Sequence, residues 1–249
     1  MNPHLAELIG TAIIIVFGAG VVANVVLART KGSNSGWIVI AWGWAIGVFV
    51  GVACADASGA HLNPAISVSL ALGGRFDWGL VPGYVAAQFA GAFLGALIVG
   101  FFYREHFKAT DDLNRKLAVF CTAPNIRVIP QAFFCEVVAT FFLAFPVFLI
   151  STKGTFELPG INGASQNVPL GLGSLGALPV ALIVLGLGLA LGGTTGYAIN
   201  PARDLGPRLA HAVLPLGAKR DGDWSYAWVP VVGPLVGGVL AALLALAVL

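Results

Sequence analysis

The chain has 249 residues, of which 58% are hydrophobic and 10% charged, and its net charge is +2. An average soluble domain is about 25% charged, so this composition excludes a water-soluble enzyme, a disordered chain and a nucleic-acid binder, and leaves a lipid bilayer as the solvent. Glycine, at 33 residues, is about twice its usual share, which suits helices whose backbones approach closely in a membrane.

A crossing needs about 20 apolar residues. The first such run, Leu5–Leu27, has no basic leader and exceeds the ~7–15 apolar residues of a cleaved signal. Gly36–Ala55 and Val81–Phe102 follow, then Gln131–Ile150, the short glycine-rich Leu178–Leu191, and Ala227–Leu249. Polar connections fall near 28–35, 73–80, 103–130, 152–177 and 211–226. Two further apolar stretches are too short to cross: HLNPAISVSLAL from His61 and INPARDLGPRLA from Ile199. Each holds about ten helical residues, or ~15 Å, which is half of a ~30 Å hydrocarbon core. Cys54, Cys121 and Cys135 lack metal-ligand spacing, and their odd count argues against a closed disulfide set. No cofactor, metal site or nucleophile–base pair is expected.

The chain resembles itself. ELIGTAIIIVF from Glu7 is similar to EVVATFFLAFP from Glu136, and SGAHLNPA (58–65) to TGYAINPA (195–202). Two halves, approximately 1–128 and 129–249, then make one domain. Three spans per half force the second copy to enter from the opposite side, so the repeats are inverted. The expected fold is an all-α membrane protein: six transmembrane helices and two re-entrant half-helices whose tips meet near the midplane.

At each tip the asparagine, Asn63 or Asn200, is an N-cap and the proline, Pro64 or Pro201, sits at N1, where its missing N–H costs nothing. Ala65 and Ala202 are small enough to let the tips touch. The cap uses the asparagine oxygen, so the amide NH2 is free to face a lumen. Each helix N-terminus adds roughly half a positive charge. Cations are repelled there, while a water accepts from both amides and cannot relay a proton. Gly59, Ala60, His61 and Leu62, and Gly196, Tyr197, Ala198 and Ile199, precede the helices and must leave the helical conformation. Such backbone is tolerated at membrane depth only along a cavity or inside protein, and its carbonyls form an acceptor ladder. Arg203 is a costly charge at membrane depth and therefore a filter candidate. Glu7 and Glu136 need partners and can brace the donor-rich loops, with Gln88 assisting.

SGAHLNPA and GYAINPARDLGPR, with Glu7 and Glu136, resemble the signatures of the major intrinsic protein family, the aquaporins and aquaglyceroporins, over nearly the whole chain. The resemblance implies a homotetramer in the plasma membrane with cytoplasmic termini and one pore per protomer. It assigns the filter to Trp42, Gly188, Tyr197 and Arg203, with Trp44 the competitor of Trp42. Water-selective members usually carry His where Gly188 stands, so the ring should be wide enough for a small polyol. Asp204, Arg208, Pro230 and Val231 also resemble glycerol-conducting members. The implied function is passive passage of glycerol, other small neutral solutes and water. A water-selective aquaporin is the alternative, and an ion-coupled transporter a more distant one. Charge opposes the implied orientation: Arg29, Lys31, Arg104, Lys108, Arg115, Lys116 and Arg127 would all lie outside, against the positive-inside rule.

Overall fold

In the computed structural model, residues 1–150, 153–158, 166–171 and 173–249 are described. The order is α1 (Pro3–Val26), α2 (Trp37–Cys54), α3 (Pro64–Leu72), α4 (Val81–Phe102), α5 (Arg104–Ala109), α6 (Leu113–Ala118), α7 (Ile129–Leu149), α8 (Leu178–Ala190), α9 (Pro201–Val213) and α10 (Val229–Val248). Among the described residues six helical segments are long and apolar enough to cross a membrane, the fifth being α8 with the 3-10 turn before it. All six correspond to the spans expected from sequence. Within the connection 152–177 two strands, β1 (Lys153–Leu158) and β2 (Gln166–Gly171), pair antiparallel with Lys153 opposite Gly171. Strand pairing there was not expected, and it is the exception to the all-helical reading.

Proline stands in the first turn of α1, α4, α7, α8 and α10, where its lost N–H has no intrahelical partner to miss. The half-helices α3 and α9 start in the same way, at Pro64 and Pro201, and run nine and 13 residues.

Helix pairing repeats between the halves. The principal contacts are α1 with α4 and α7 with α10, and each half-helix packs on the other half's last span, α3 on α10 and α9 on α4. Glycine sets these separations. A Cβ at Gly91 would collide with the Leu8 carbonyl, and one at Gly237 with the Val137 carbonyl. These are matched sites on α4 and α10, and only backbone without a side chain fits. Ser69 on α3 donates to the Gly238 carbonyl at 2.8 Å, so the half-helix is bonded as well as packed.

Candidate functional site: a two-faced lumen

The re-entrant loops owe their course to unusual backbone. Gly59, Ala60 and Leu62 have positive φ, and so do Gly196, Tyr197 and Ile199, at matching positions. For residues other than glycine this conformation costs on the order of 1–2 kcal/mol each, so something must hold it. Glu7 holds the first loop. Its Oε1 accepts from Ser58 Oγ at 2.6 Å and His61 N at 2.9 Å, and its Oε2 from Leu62 N and Gln88 Nε2, both at 2.7 Å. Glu136 holds the second. Its Oε1 accepts from Thr195 Oγ1 at 2.7 Å and Ala198 N at 3.0 Å, and its Oε2 from Ile199 N at 3.0 Å. Both carboxylates are fully buried. Each satisfies backbone donors that would otherwise be orphaned at membrane depth. Ser58 and Thr195 were not singled out from sequence, although they occupy matched positions in the SGA and TGY segments. Gln88 lies where expected and also donates to Ser67 Oγ at 3.0 Å.

The two tips meet. Asn63 caps α3 by accepting from Ala65 N at 2.9 Å, and Asn200 caps α9 by accepting from Ala202 N at 3.0 Å and Arg203 N at 3.2 Å. Across the junction Asn63 Nδ2 donates to the Ile199 carbonyl and Asn200 Nδ2 to the Leu62 carbonyl, both at 2.8 Å. Each amide therefore spends one hydrogen on the opposite loop and keeps one. The expectation of a wholly free NH2 is corrected accordingly. The Leu62 and Ile199 carbonyls are also engaged, which shortens the ladder expected from sequence.

A cavity of about 230 Å³ runs past this junction. One wall is polar: Gly59, Ala60, His61, Leu62 and Asn63 from the first loop, Tyr197, Ala198, Ile199 and Asn200 from the second, and Arg203. The spans α1, α2, α7 and α8 contribute apolar side chains to the lining: Ile14, Val48, Val52, Leu143, Val147, Val180 and Val184. Gly196 lies behind this wall, where an added Cβ would sit 3.3 Å from the Thr122 methyl.

Arg203 Cζ stands 4.0 Å from the centroid of the Trp44 ring. Among the described residues no hydrogen bond or ion pair engages its guanidinium. Trp44 is 4% exposed and lines the cavity. It is seated against Gly18 of α1, where a Cβ would strike the indole. Trp42 is 50% exposed and faces the outside of the bundle beside Ala45, Ile46, Phe49 and Leu182. Trp42, expected at the cavity, therefore does not border it, and its competitor Trp44 does. Two helical residues subtend about 200°, so the two indoles point opposite ways. Gly188 is not itself part of the cavity lining. It backs onto Tyr197, where an added Cβ would be 2.9 Å from the phenol oxygen and 3.2 Å from Ala41 Cβ. Its missing side chain makes room for the tyrosine ring.

Asp204 and Arg208 are fully buried and tie loops together. Asp204 Oδ2 accepts from Thr122 N and Thr122 Oγ1, both at 2.7 Å, while Oδ1 accepts from Arg208 Nε at 2.9 Å. Arg208 donates on to the carbonyls of Thr122, Gly222 and Asp223. Pro230 is buried and Val231 half-buried in the first turn of α10, and neither lines the cavity. Among the described residues no three His, Cys, Asp or Glu side chains converge in a way that could hold a metal.

The chain matches the family described as Major intrinsic protein over residues 1–245. It is 49% identical over 243 residues to a probable glycerol uptake facilitator protein of Thermotoga maritima, covering 97% of each chain. It is 48% identical to glycerol uptake facilitator protein 3 of Lactiplantibacillus plantarum, over 96% of this chain and 94% of that one. Among solved structures the aquaglyceroporin from Plasmodium falciparum superimposes with a TM-score of 0.75 at 31% identity, covering 96% of this chain and 93% of that one. The lumen, its paired asparagine tips and its six spans are therefore those of a multi-pass membrane channel, and the chain belongs to the major intrinsic protein family.

Proposed function

We propose that the protein is a passive channel for glycerol and other small neutral solutes, together with water, and that it excludes protons and ions. The observation that carries the reading is the two-faced lumen at Arg203. A polyol has a carbon edge and a hydroxyl edge. Trp44 and Tyr197 offer aromatic surface to the first, while the guanidinium and free loop carbonyls bond the second. The set Trp44, Tyr197 and Arg203, with Gly188 behind the tyrosine, forms the filter in this reading. A glycerol sheds water on entering and regains hydrogen bonds on one side only, which its shape permits.

Ion exclusion follows from charge. A cation at the tips meets two helix N-termini, each worth roughly +0.5 charge, and Arg203 beyond them. A water at the junction accepts from the remaining N–H of Asn63 and of Asn200. Its own hydrogens then point away from the junction along the lumen in opposite directions, and the proton wire is broken.

The wider assembly belongs to the same proposal: halves 1–128 and 129–249 related by inversion, cytoplasmic termini, a plasma-membrane location and a homotetramer with one pore per protomer. Purified protein in liposomes tests the function. Vesicles should swell under an inward glycerol gradient and stay tight to protons. Water permeation without glycerol flux would overturn the polyol reading, and saturable uptake driven by an ion gradient would overturn the channel.

A further inference from the structure

Helix α8 ends at Ala190, and the last four carbonyls of a helix have no partner within it. Leu187 O is satisfied locally, by Leu191 N at 2.8 Å. Gly188 O is satisfied from far away, by the indole Nε1–H of Trp37 at 2.7 Å. Trp37 is the first residue of α2, so a side chain of one span caps the end of another. The same indole stands edge-on to Tyr197, with ring centroids 5.9 Å apart and planes at 72°. The Tyr197 hydroxyl is buried against Gly188 and has no hydrogen-bond partner among the described residues. One turn beyond, a Cβ at Gly192 would lie 2.6 Å from Tyr197 Cδ1 and 2.7 Å from Trp37 Cζ2. Trp37, Tyr197 and the backbone of two glycines thus fill one crevice, and the front of Tyr197 is the lumen wall.

We infer that Trp37 is a positioning residue for the narrow ring: by capping Gly188 it fixes the surface on which Tyr197 rests, and so sets the width left for a solute. Without the indole donor, Gly188 O becomes a buried, unpaired acceptor beside an unpaired hydroxyl. Such groups recruit a water when there is room for one. Here room exists only if Tyr197 moves, and its open side is the lumen. The ring narrows, and glycerol, being wider than water, is hindered more. A tryptophan at the end of a span also serves as an interfacial anchor, and Trp37 is 38% exposed. Anchoring alone affects how many channels fold, not what each one passes.

The ratio of glycerol to water permeability separates the two roles, because it is independent of channel number. Wild type, Trp37→Phe, Trp37→Tyr and the outward-facing control Trp42→Phe are reconstituted and measured in the same vesicle preparations. Trp37→Phe should lower the ratio on the order of threefold to tenfold, the worth of one hydrogen bond, and Trp42→Phe should leave it unchanged. An unchanged ratio in Trp37→Phe, or glycerol and water falling by one common factor, overturns the inference. Trp37→Tyr is read by the same criterion if the Phe variant yields no folded channel. The inference rests on the glycerol reading only for its readout. A wild type that passes water but no glycerol defeats that reading, and the water-to-urea ratio then tests Trp37.

Discussion

Gly188 matters through what it lacks. With a Cβ 2.9 Å from the phenol oxygen and 3.0 Å from Cζ of Tyr197, even alanine is too large unless the tyrosine ring shifts. Ala41 Cβ at 3.2 Å closes one direction of retreat, so the ring moves toward the lumen. Gly188→Ala should therefore reduce glycerol permeability about tenfold relative to water, the scale on which one added methylene is sensed in a fitted pocket. Stopped-flow light scattering on vesicles measures both fluxes, and an equal loss of both would detach Gly188 from the filter. That Tyr197 and Arg203 border the cavity was legible in the sequence, because both sit at fixed steps from an asparagine. It did not carry the choice between Trp42 and Trp44, since a pattern match fixes spacing while lumen orientation is decided by rotation of α2 and by the notch at Gly18. Nor did it carry Trp37, whose bond to Gly188 joins residues 151 positions apart.

On the scale of elements, each re-entrant segment pairs a strained loop with a carboxylate on a neighbouring span. The two braces are unequal. Glu7 gathers four donors, including the Gln88 amide, while Glu136 gathers three. Matching α4 to α10 through Gly91 and Gly237 puts Pro234 where Gln88 stands, and proline has no donor to offer. Glu136→Ala would strand Thr195 Oγ1 and the N–H groups of Ala198 and Ile199. Each buried unsatisfied donor costs about 1–3 kcal/mol, and the positive φ of Tyr197 and Ile199 would lose its restraint. The variant should lose most of its folded yield, or melt well below wild type when followed by size-exclusion fluorescence in detergent. An unaltered melting curve would make the brace dispensable. Much of this was legible in advance. Asparagine followed by proline names a helix start, and a charged glutamate near the start of each half, which needs donors at membrane depth, points to the donor-rich loop before each asparagine. The cross-tip bonds were not legible, because nothing local says that an amide of one half will seek a carbonyl of the other.

At the scale of the whole molecule, the distribution of cations conflicts with the proposed orientation, and their contacts give a reason. In that orientation the cation-rich connection 103–130 and the connection 214–228 lie on the outer side, and they are stitched to each other. Lys116 Nζ donates to the Ala218 carbonyl at 2.7 Å, and Arg127 forms a two-bonded pair with Asp223 at 2.7 and 2.8 Å. Lys219 Nζ caps α9 through the carbonyls of His211, Ala212 and Leu214, a favourable place for a cation. The hydrogen bonds from Arg127 hold the Asp223 carboxyl below its usual range, so this tie loosens only as pH falls through that lowered value. Its worth is small, about 0–1 kcal/mol, because Arg127 is half exposed. These cations thus serve loop packing, and a count of them reports folding contacts as well as topology. Cys54, exposed at the C-terminal end of α2, decides the matter. In a Cys121→Ala/Cys135→Ser background, a membrane-impermeant maleimide should label it in inside-out vesicles and not in intact cells. Labelling from the outside would invert the channel in the membrane and return the argument to the positive-inside rule, while leaving the two-faced lumen, which works in either direction, untouched.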